Sequence, residues 1–300
     1  MCFVYLIKIH KESITLLVVD LKTTQRKIVY EHKTPIINLF KHIQEVNMTK
    51  QIQVASYNIS GGFYIGNEDE EYLDREAINS VDNKLLNELI NTINNENIDI
   101  LCLQEVITTP HVKYIEQIAN ATSLKYYDSF ELSPCNIVKD TEAGIAIMSK
   151  YPLHTLTKQL FPNPRIAFTT SSGNTYYTYD KGYMVCEVEI DNNKIKVFNH
   201  HNFPFRRFRS TARDNMPVFE HFDSILKKEN PDAVMGDFNT EDFMDLVPTL
   251  NTFYNRTINT ITTVDGMSFD EILLRNKSNS KGRLIRGLSD HYMVTTTLNI

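Results

Sequence analysis

The spacing of apolar positions changes several times along this chain, and the changes predict alternating strands and helices. Residues 3–9, 14–21 and 27–30 are short β-branched runs separated by polar turns, and a predicted helix follows over 35–46. From Gln51 a strand is predicted over 51–58. A helix is predicted over about 74–94, where Ile78, Val81, Leu85, Leu89 and Ile93 recur at spacings of three and four. The next run, 98–103, is almost wholly apolar, which predicts a strand buried on both faces. Thr109-Pro110 reads as the cap and first-turn proline of a short helix ending near Ala121. Strands are predicted over 144–149, 183–190 and 194–199, the last two joined by the turn Asp191-Asn192-Asn193. A helix over about 211–228 then leads to strands at 232–236, 269–275 and 292–298.

Such alternation predicts sheets covered by helices. No repeat, low-complexity block or linker interrupts the chain after residue 50, so the expectation is a strand-rich extension over 1–47 and one domain over 48–300. Met48, just ahead of the strand at 51–58, leaves a start at that position as the alternative.

Composition narrows the class. Across 300 residues, 42% hydrophobic and 23% charged content is ordinary globular usage, which excludes disordered and fibrous chains. A formal charge of −6 argues against a protein that coats nucleic acid non-specifically, but not against a local basic groove. Cysteines at 2, 102, 135 and 186 form no CxxC pair and no disulfide framework, so a reducing compartment is expected. No apolar run approaches the roughly 20 residues of a membrane helix, and Lys8, His10, Lys11 and Glu12 interrupt any signal-like segment. The expectation is a soluble, intracellular protein of the cytoplasm or nucleus.

The ends of the apolar runs carry the chemistry. Five of them finish in amides, carboxylates or imidazoles: Asn58, Gln104-Glu105, Asn199-His200-His201, Asp237-Phe238-Asn239 and Asp290-His291. Buried charge is costly unless it is paired or bound to metal, so a fold that gathers these ends is building a site. His200 and His201 are adjacent in a strand and face opposite ways, so at most one of them acts in that site.

In this order the segments Ser56-Tyr57-Asn58-Ile59, Leu103-Gln104-Glu105-Val106, Gly144–Ser149, Asn199-His200-His201, Gly236-Asp237-Phe238-Asn239, Phe269-Asp270-Glu271 and Ser289-Asp290-His291 resemble the endonuclease/exonuclease/phosphatase superfamily, the DNase I-like metal-dependent phosphoesterases. The resemblance spans roughly residues 52–298. It implies an α/β (α+β) four-layered α/β/β/α sandwich with the site at one rim, and cleavage of a phosphoester with Mg²⁺ or Mn²⁺. Hard oxygen ligands suit such an ion. Glu105 is the expected metal ligand, Asn58 coordinates beside it or orients it, and Asp290 completes the shell. The resemblance further implies that Asp237 orients or deprotonates the attacking water and that Asn239 holds a phosphate oxygen. His291, with Asp270 as its partner, contacts the phosphate or serves as base. His201 stabilises the phosphate or protonates the leaving group, with Glu142 as its carboxylate partner.

Apurinic-site endonucleases of the superfamily usually have a tryptophan before the first Asn and an acid two after it. Tyr57 and Ser60 stand there, which argues against abasic-site specificity.

Basic segments border two of these motifs. Arg206, Arg207 and Arg209, with Phe203, Phe205 and Phe208 interleaved, follow His201, and Arg275, Lys277, Lys281, Arg283 and Arg286 precede Asp290. Arginine forks with aromatic rings suit phosphate binding and base stacking, and Asn199 joins Arg206, Arg207 and Arg209 as an expected substrate contact. The alternative is a solvated turn whose phenylalanines belong to the core. The sequence therefore points to a phosphodiesterase with a nucleic acid partner, a nuclease first. The alternatives are an enzyme for lipid or inositol phosphates, a tyrosyl-DNA phosphodiesterase-like enzyme, or an inactive binding protein on the same fold.

Overall fold

A computed structural model describes residues 50–62, 75–108, 114–135, 141–169, 173, 175–275 and 280–300, with backbone alone at 62, 75–83 and 108, and the backbone of three amino-terminal strands. The predicted helix at 35–46, the Thr109-Pro110 cap, the side chains of Ile78 and Val81, and Lys277 lie outside the described residues. The chain divides into units 1–50 and 51–300.

In the first unit, β1 (Phe3–His10), β2 (Ser13–Asp20) and β3 (Arg26–His32) form an antiparallel meander, with a bulge between Leu16 and Leu17. These are the three runs seen in the sequence pattern.

The second unit runs β4 (Gln51–Asn58), α1 (Arg75–Asn95), β5 (Ile100–Thr108), α2 (Tyr114–Ala121), β6 (Tyr126–Pro134), β7 (Glu142–Ser149) and β8 (Leu153–Leu160). It continues through β9 (Ala167–Thr169), β10 (Thr175–Tyr177), β11 (Gly182–Ile190), β12 (Asn193–His201), α3 (Met216–Glu229) and β13 (Ala233–Asp237). It ends with α4 (Phe243–Leu246), α5 (Pro248–Phe253), β14 (Tyr254–Arg256), β15 (Asp270–Arg275), β16 (Arg283–Arg286) and β17 (Tyr292–Asn299). Two six-stranded mixed sheets result, in the orders β16-β17-β4-β5-β7-β6 and β14-β15-β13-β12-β11-β8.

Side-chain alternation makes the layers. In β5, Ile100 and Cys102 enter the core shared with the second sheet, while Leu101 and Leu103 pack with Leu85, Leu89 and Ile93 of α1 and Ile118 of α2. In β12 and β13, Val197, Ala233 and Met235 face the shared core, while Phe198 and Val234 pack against Val218, Phe219 and Phe222 of α3. Three apolar interfaces between four layers give the α/β/β/α sandwich, and they explain why these strands read as continuous apolar runs. Among the described residues, no helix is long and apolar enough to cross a membrane.

The pattern missed six strands of this unit. β6 is half-exposed and mixed in composition, and β8 is a sheet edge whose leucines stand partly in solvent. β9, β10 and β14 have three residues each and β16 four, too short to show a period.

Candidate active site

Register brings the polar strand ends together. β12 and β13 run parallel with His201 opposite Asp237, and β15 runs antiparallel to β13 with Asp270 opposite Asp237. In the other sheet β4 and β5 run parallel with Asn58 opposite Gln104. Asn58 Nδ2 then bridges the two sheets, donating to Asp237 Oδ2 at 3.0 Å and to Glu105 Oε1 at 3.2 Å.

Local backbone aims these groups. Glu105 has φ 53° at a bulge between Gln104 and Val106, an uncommon conformation for a residue with a Cβ. The bulge breaks the alternation that would have turned Glu105 towards the helices. A Cβ at Gly236 would lie 2.2 Å from the His200 carbonyl oxygen, so only glycine allows Asp237 to follow at this register. Asn239, with φ 51°, closes the turn by donating its backbone N–H to Asp237 Oδ1 at 2.8 Å.

Asp237 is enclosed. Its pKa is pushed up to about 7 by burial and then by Asp270, with His291 opposing the rise. His291 Nδ1 lies 2.8 Å from Asp270 Oδ2, which also accepts Thr262 Oγ1 at 2.8 Å. Burial alone would lower the His291 pKa, but Asp270, Asp237 and Asp290 together hold it well above the ordinary histidine value, as an imidazolium. His201 Nε2 is 3.6 Å from both Glu105 Oε1 and Asp237 Oδ2. Burial and the positive field of Lys181 keep His201 neutral, well below its ordinary pKa.

His200 faces the other way. Both of its ring nitrogens lack a hydrogen-bond partner among the described residues, and its ring packs against Phe198, Phe222 and Phe238 at centroid distances of 6.0, 4.9 and 4.3 Å. Burial there pushes its pKa down to about 3.

Several expected roles change with the geometry. Asn58 Oδ1 accepts the Ser60 N–H at 2.9 Å, so the amide nitrogen faces the carboxylates, in keeping with the orienting one of its two expected roles. Both ends of the amide agree on that assignment. Asn199, fully buried, donates to the Leu103 and Ala146 carbonyls and accepts Gln104 Nε2; it ties the sheets together and has nothing left for substrate. Asn239 Nδ2 donates to Asp237 Oδ2 and to the Asn202 carbonyl, so both amide hydrogens are engaged within the protein, one of them on Asp237. Glu142, opposite Thr108 and Pro134 at the start of β7, makes no bond to His201. Asp290 accepts Ser289 Oγ at 3.2 Å and stands outside both side-chain groups close enough to share an ion.

The first of those groups is Glu105, His201 and Asp237, and the second is Asp237, Asp270 and His291, each with ligand atoms within 4.8 Å of one another. Carboxylate oxygen with imidazole nitrogen fits a hard or borderline divalent ion, with Glu105 open to the cleft at 27% exposure.

Arg206, Arg207 and Arg209 are exposed in the segment that follows His201. Arg206 rests on Met267 and Arg209 on the Phe168 ring at 4.7 Å, while Arg207 carries its charge to the cleft wall, where Lys181 feels it. Phe203 and Phe205 are 0% and 1% exposed in the core under α3, so they cannot stack on a base.

Sequence reasoning missed Lys181. It precedes β11, lines the cleft with Glu105, Cys135, Tyr179 and His201, and places Nζ 3.1 Å from each His201 ring nitrogen. Burial lowers its pKa, against the pull of Glu105 and Asp237.

A sequence profile of the Endonuclease/Exonuclease/phosphatase family matches residues 55–291. The chain belongs to that family. Its members are hydrolases that act on phosphoester bonds. No curated protein matches the sequence.

Solved structures share the fold. Humanized D. rerio TDP2 is 17% identical with a TM-score of 0.53, covering 83% of this chain and 99% of its own. The human Nocturnin catalytic domain, solved with bound sulfate, is 15% identical with a TM-score of 0.54 over 83% and 94%. The mannosyl-6-phosphatase of Bacteroides thetaiotaomicron is 12% identical with a TM-score of 0.52 over 83% and 99%.

Proposed function

We propose that the protein is a divalent-metal-dependent phosphodiesterase acting on nucleic acid, with Mg²⁺ or Mn²⁺ as its ion. The supporting observation is the convergence of Glu105, His201, Asp237, Asp270 and His291 at one rim, with exposed Arg206, Arg207 and Arg209 next to it. An ion held by Glu105, with Asp237 and His201 in reach, would supply charge neutralisation on the phosphate oxygens. Asp237, titrating near neutrality and gripped by Asn58 and Asn239, orients and deprotonates the attacking water. His291 is held as a cation by Asp270 and donates from Nε2 to a phosphate oxygen. Residues 48–300 form the catalytic domain under this reading and residues 1–47 an appended extension.

One observation favours a second substrate class. With Phe203 and Phe205 buried, only the half-buried Phe208 of the three rings is left to stack on a base, which brings in a sugar, lipid or inositol phosphate as the second reading. A panel of plasmid DNA, single-stranded DNA, poly(A) RNA, a 5′-phosphotyrosyl oligonucleotide, sugar phosphates, inositol phosphates and sphingomyelin, each with Mg²⁺, Mn²⁺ or EDTA, separates the two. Turnover that survives EDTA, or full turnover by Glu105→Ala, overturns the metal reading. Turnover confined to sugar, lipid or inositol phosphates overturns the nucleic-acid reading.

A further inference from the structure

Lys181 presents an electrostatic problem that the rest of the site does not solve. Lys150, Lys158, Lys194 and Lys227 each reach a carboxylate within 3.3 Å, as surface lysines commonly do. Lys181 points inward, and no described carboxylate lies within 4.0 Å of its ammonium; among the described residues, the side-chain atoms within hydrogen-bond distance of it are the two ring nitrogens of His201. Equal distances of 3.1 Å to Nδ1 and Nε2 put the ammonium over the imidazole. An in-plane position equidistant from both would run into the carbon between them, so the ammonium is in line with neither lone pair.

A cation over a neutral ring is a modest attraction and uses few of the three ammonium donors. Glu105 and Asp237 pull on the half-buried ammonium without lying close enough to pair with it, so its donors remain open to an anion that arrives later. The wall around it is what an anion would meet: His201 on one side, Tyr179 and Asp180 preceding it in the chain, Glu105 across the cleft, and Arg207 adding positive field from the rim.

We propose that Lys181 is a phosphate-binding residue of the active site, its ammonium grasping a non-bridging oxygen of the scissile phosphate above His201. This rests on the phosphoesterase reading and extends it. The site then holds the phosphate between two protein cations, Lys181 on the Glu105–His201 side and the His291 imidazolium on the Asp270 side.

Inorganic phosphate is the probe, with full-length wild type, Lys181→Met and Lys181→Arg in Mn²⁺. Calorimetric titration and competitive inhibition of bis(4-nitrophenyl) phosphate hydrolysis both read phosphate affinity. Lys181→Met is expected to weaken phosphate about 10- to 100-fold, the range for losing a hydrogen bond to a charged group. Lys181→Arg is expected to recover most of the loss. Phosphate is also expected to raise the Tm of wild type and not of Lys181→Met, while Mn²⁺ affinity does not fall.

Equal phosphate affinity in wild type and Lys181→Met overturns the proposal. So does a Lys181→Arg variant that melts as wild type does but binds phosphate no better than Lys181→Met. Wild type that neither binds phosphate nor cleaves any phosphoester overturns the phosphoesterase reading itself, a result distinct from an active wild type matched by Lys181→Met.

Discussion

Replacing His200 by phenylalanine separates the two neighbouring histidines through the pH dependence of stability. An unfolded histidine titrates near 6.5, whereas burial among Phe198, Phe222 and Phe238 holds folded His200 near 3. Because the folded pKa is depressed, the unfolded chain binds more protons. The stability associated with neutral His200 is complete above pH 6.5 and is lost as pH falls towards 3. Between pH 7.5 and 5 the loss from this one group is about 2 kcal/mol, from about 1.4 kcal/mol per unit over the 1.5 units below 6.5.

Phenylalanine takes up no proton, so His200→Phe does not carry that loss. Its larger ring costs a fixed amount through overpacking, which offsets the curves equally at every pH. Urea denaturation of both proteins at pH 7.5, 6.5, 5.5 and 5.0 in EDTA gives the difference directly. The difference is expected to move in favour of the variant by about 2 kcal/mol on going to pH 5. A difference that stays flat over that range refutes a neutral, buried His200. The same variant is expected to keep phosphoester turnover within a few-fold, while His201→Ala loses it.

Two further substitutions probe the supports of the site, one that the sequence did not reveal and one that it did. Asn199→Ala leaves the Leu103 and Ala146 carbonyls and Gln104 Nε2 without their partner between the sheets, and is expected to cost roughly 3 kcal/mol or more in urea unfolding with KM unchanged. A raised KM with native stability contradicts its purely structural place. Asp270→Asn removes the carboxylate 2.8 Å from His291 Nδ1 and beside Asp237, so both groups fall in pKa and both limbs of the kcat–pH profile move down, by about 1 unit or more. A basic limb that does not move shows that His291 does not act as a cation.

The strand ends were legible because their chemistry contradicts their surroundings. Asp237 and His201 follow apolar runs that can only be buried, and a fold rarely encloses such groups without using them. Alternation along β12 separated His201 from His200 before any coordinates. What sequence could not supply was the three-dimensional commitment of each polar atom. Asn199 looked available because its neighbours are catalytic, yet it bonds entirely within the sandwich. Phe203 and Phe205 looked like stacking rings because arginines flank them, although both rings are buried while Arg206, Arg207 and Arg209 are exposed. Lys181 sits in Tyr-Asp-Lys-Gly, a turn-like segment with no signal of its own, and becomes visible only when Gly182 pairs with His201.

Asn58 stands between two carboxylates, and Asn58→Asp tests that placing through the pH dependence of stability. As found, its Nδ2 donates to one oxygen each of Glu105 and Asp237. A carboxylate there would put a third anion about 3 Å from two others, a repulsion on the order of several kcal/mol per pair at an effective dielectric of 20. The group of three then retains a proton at neutral pH. Its folded pKa is raised above the unfolded value, so stability falls as pH rises. Melting in EDTA is therefore expected to show the variant losing ground to wild type between pH 5 and 8, with added Mn²⁺ closing the gap because a bound cation removes the repulsion. EDTA curves that run parallel across that range would sink the placing of the Asn58 side chain between Glu105 and Asp237.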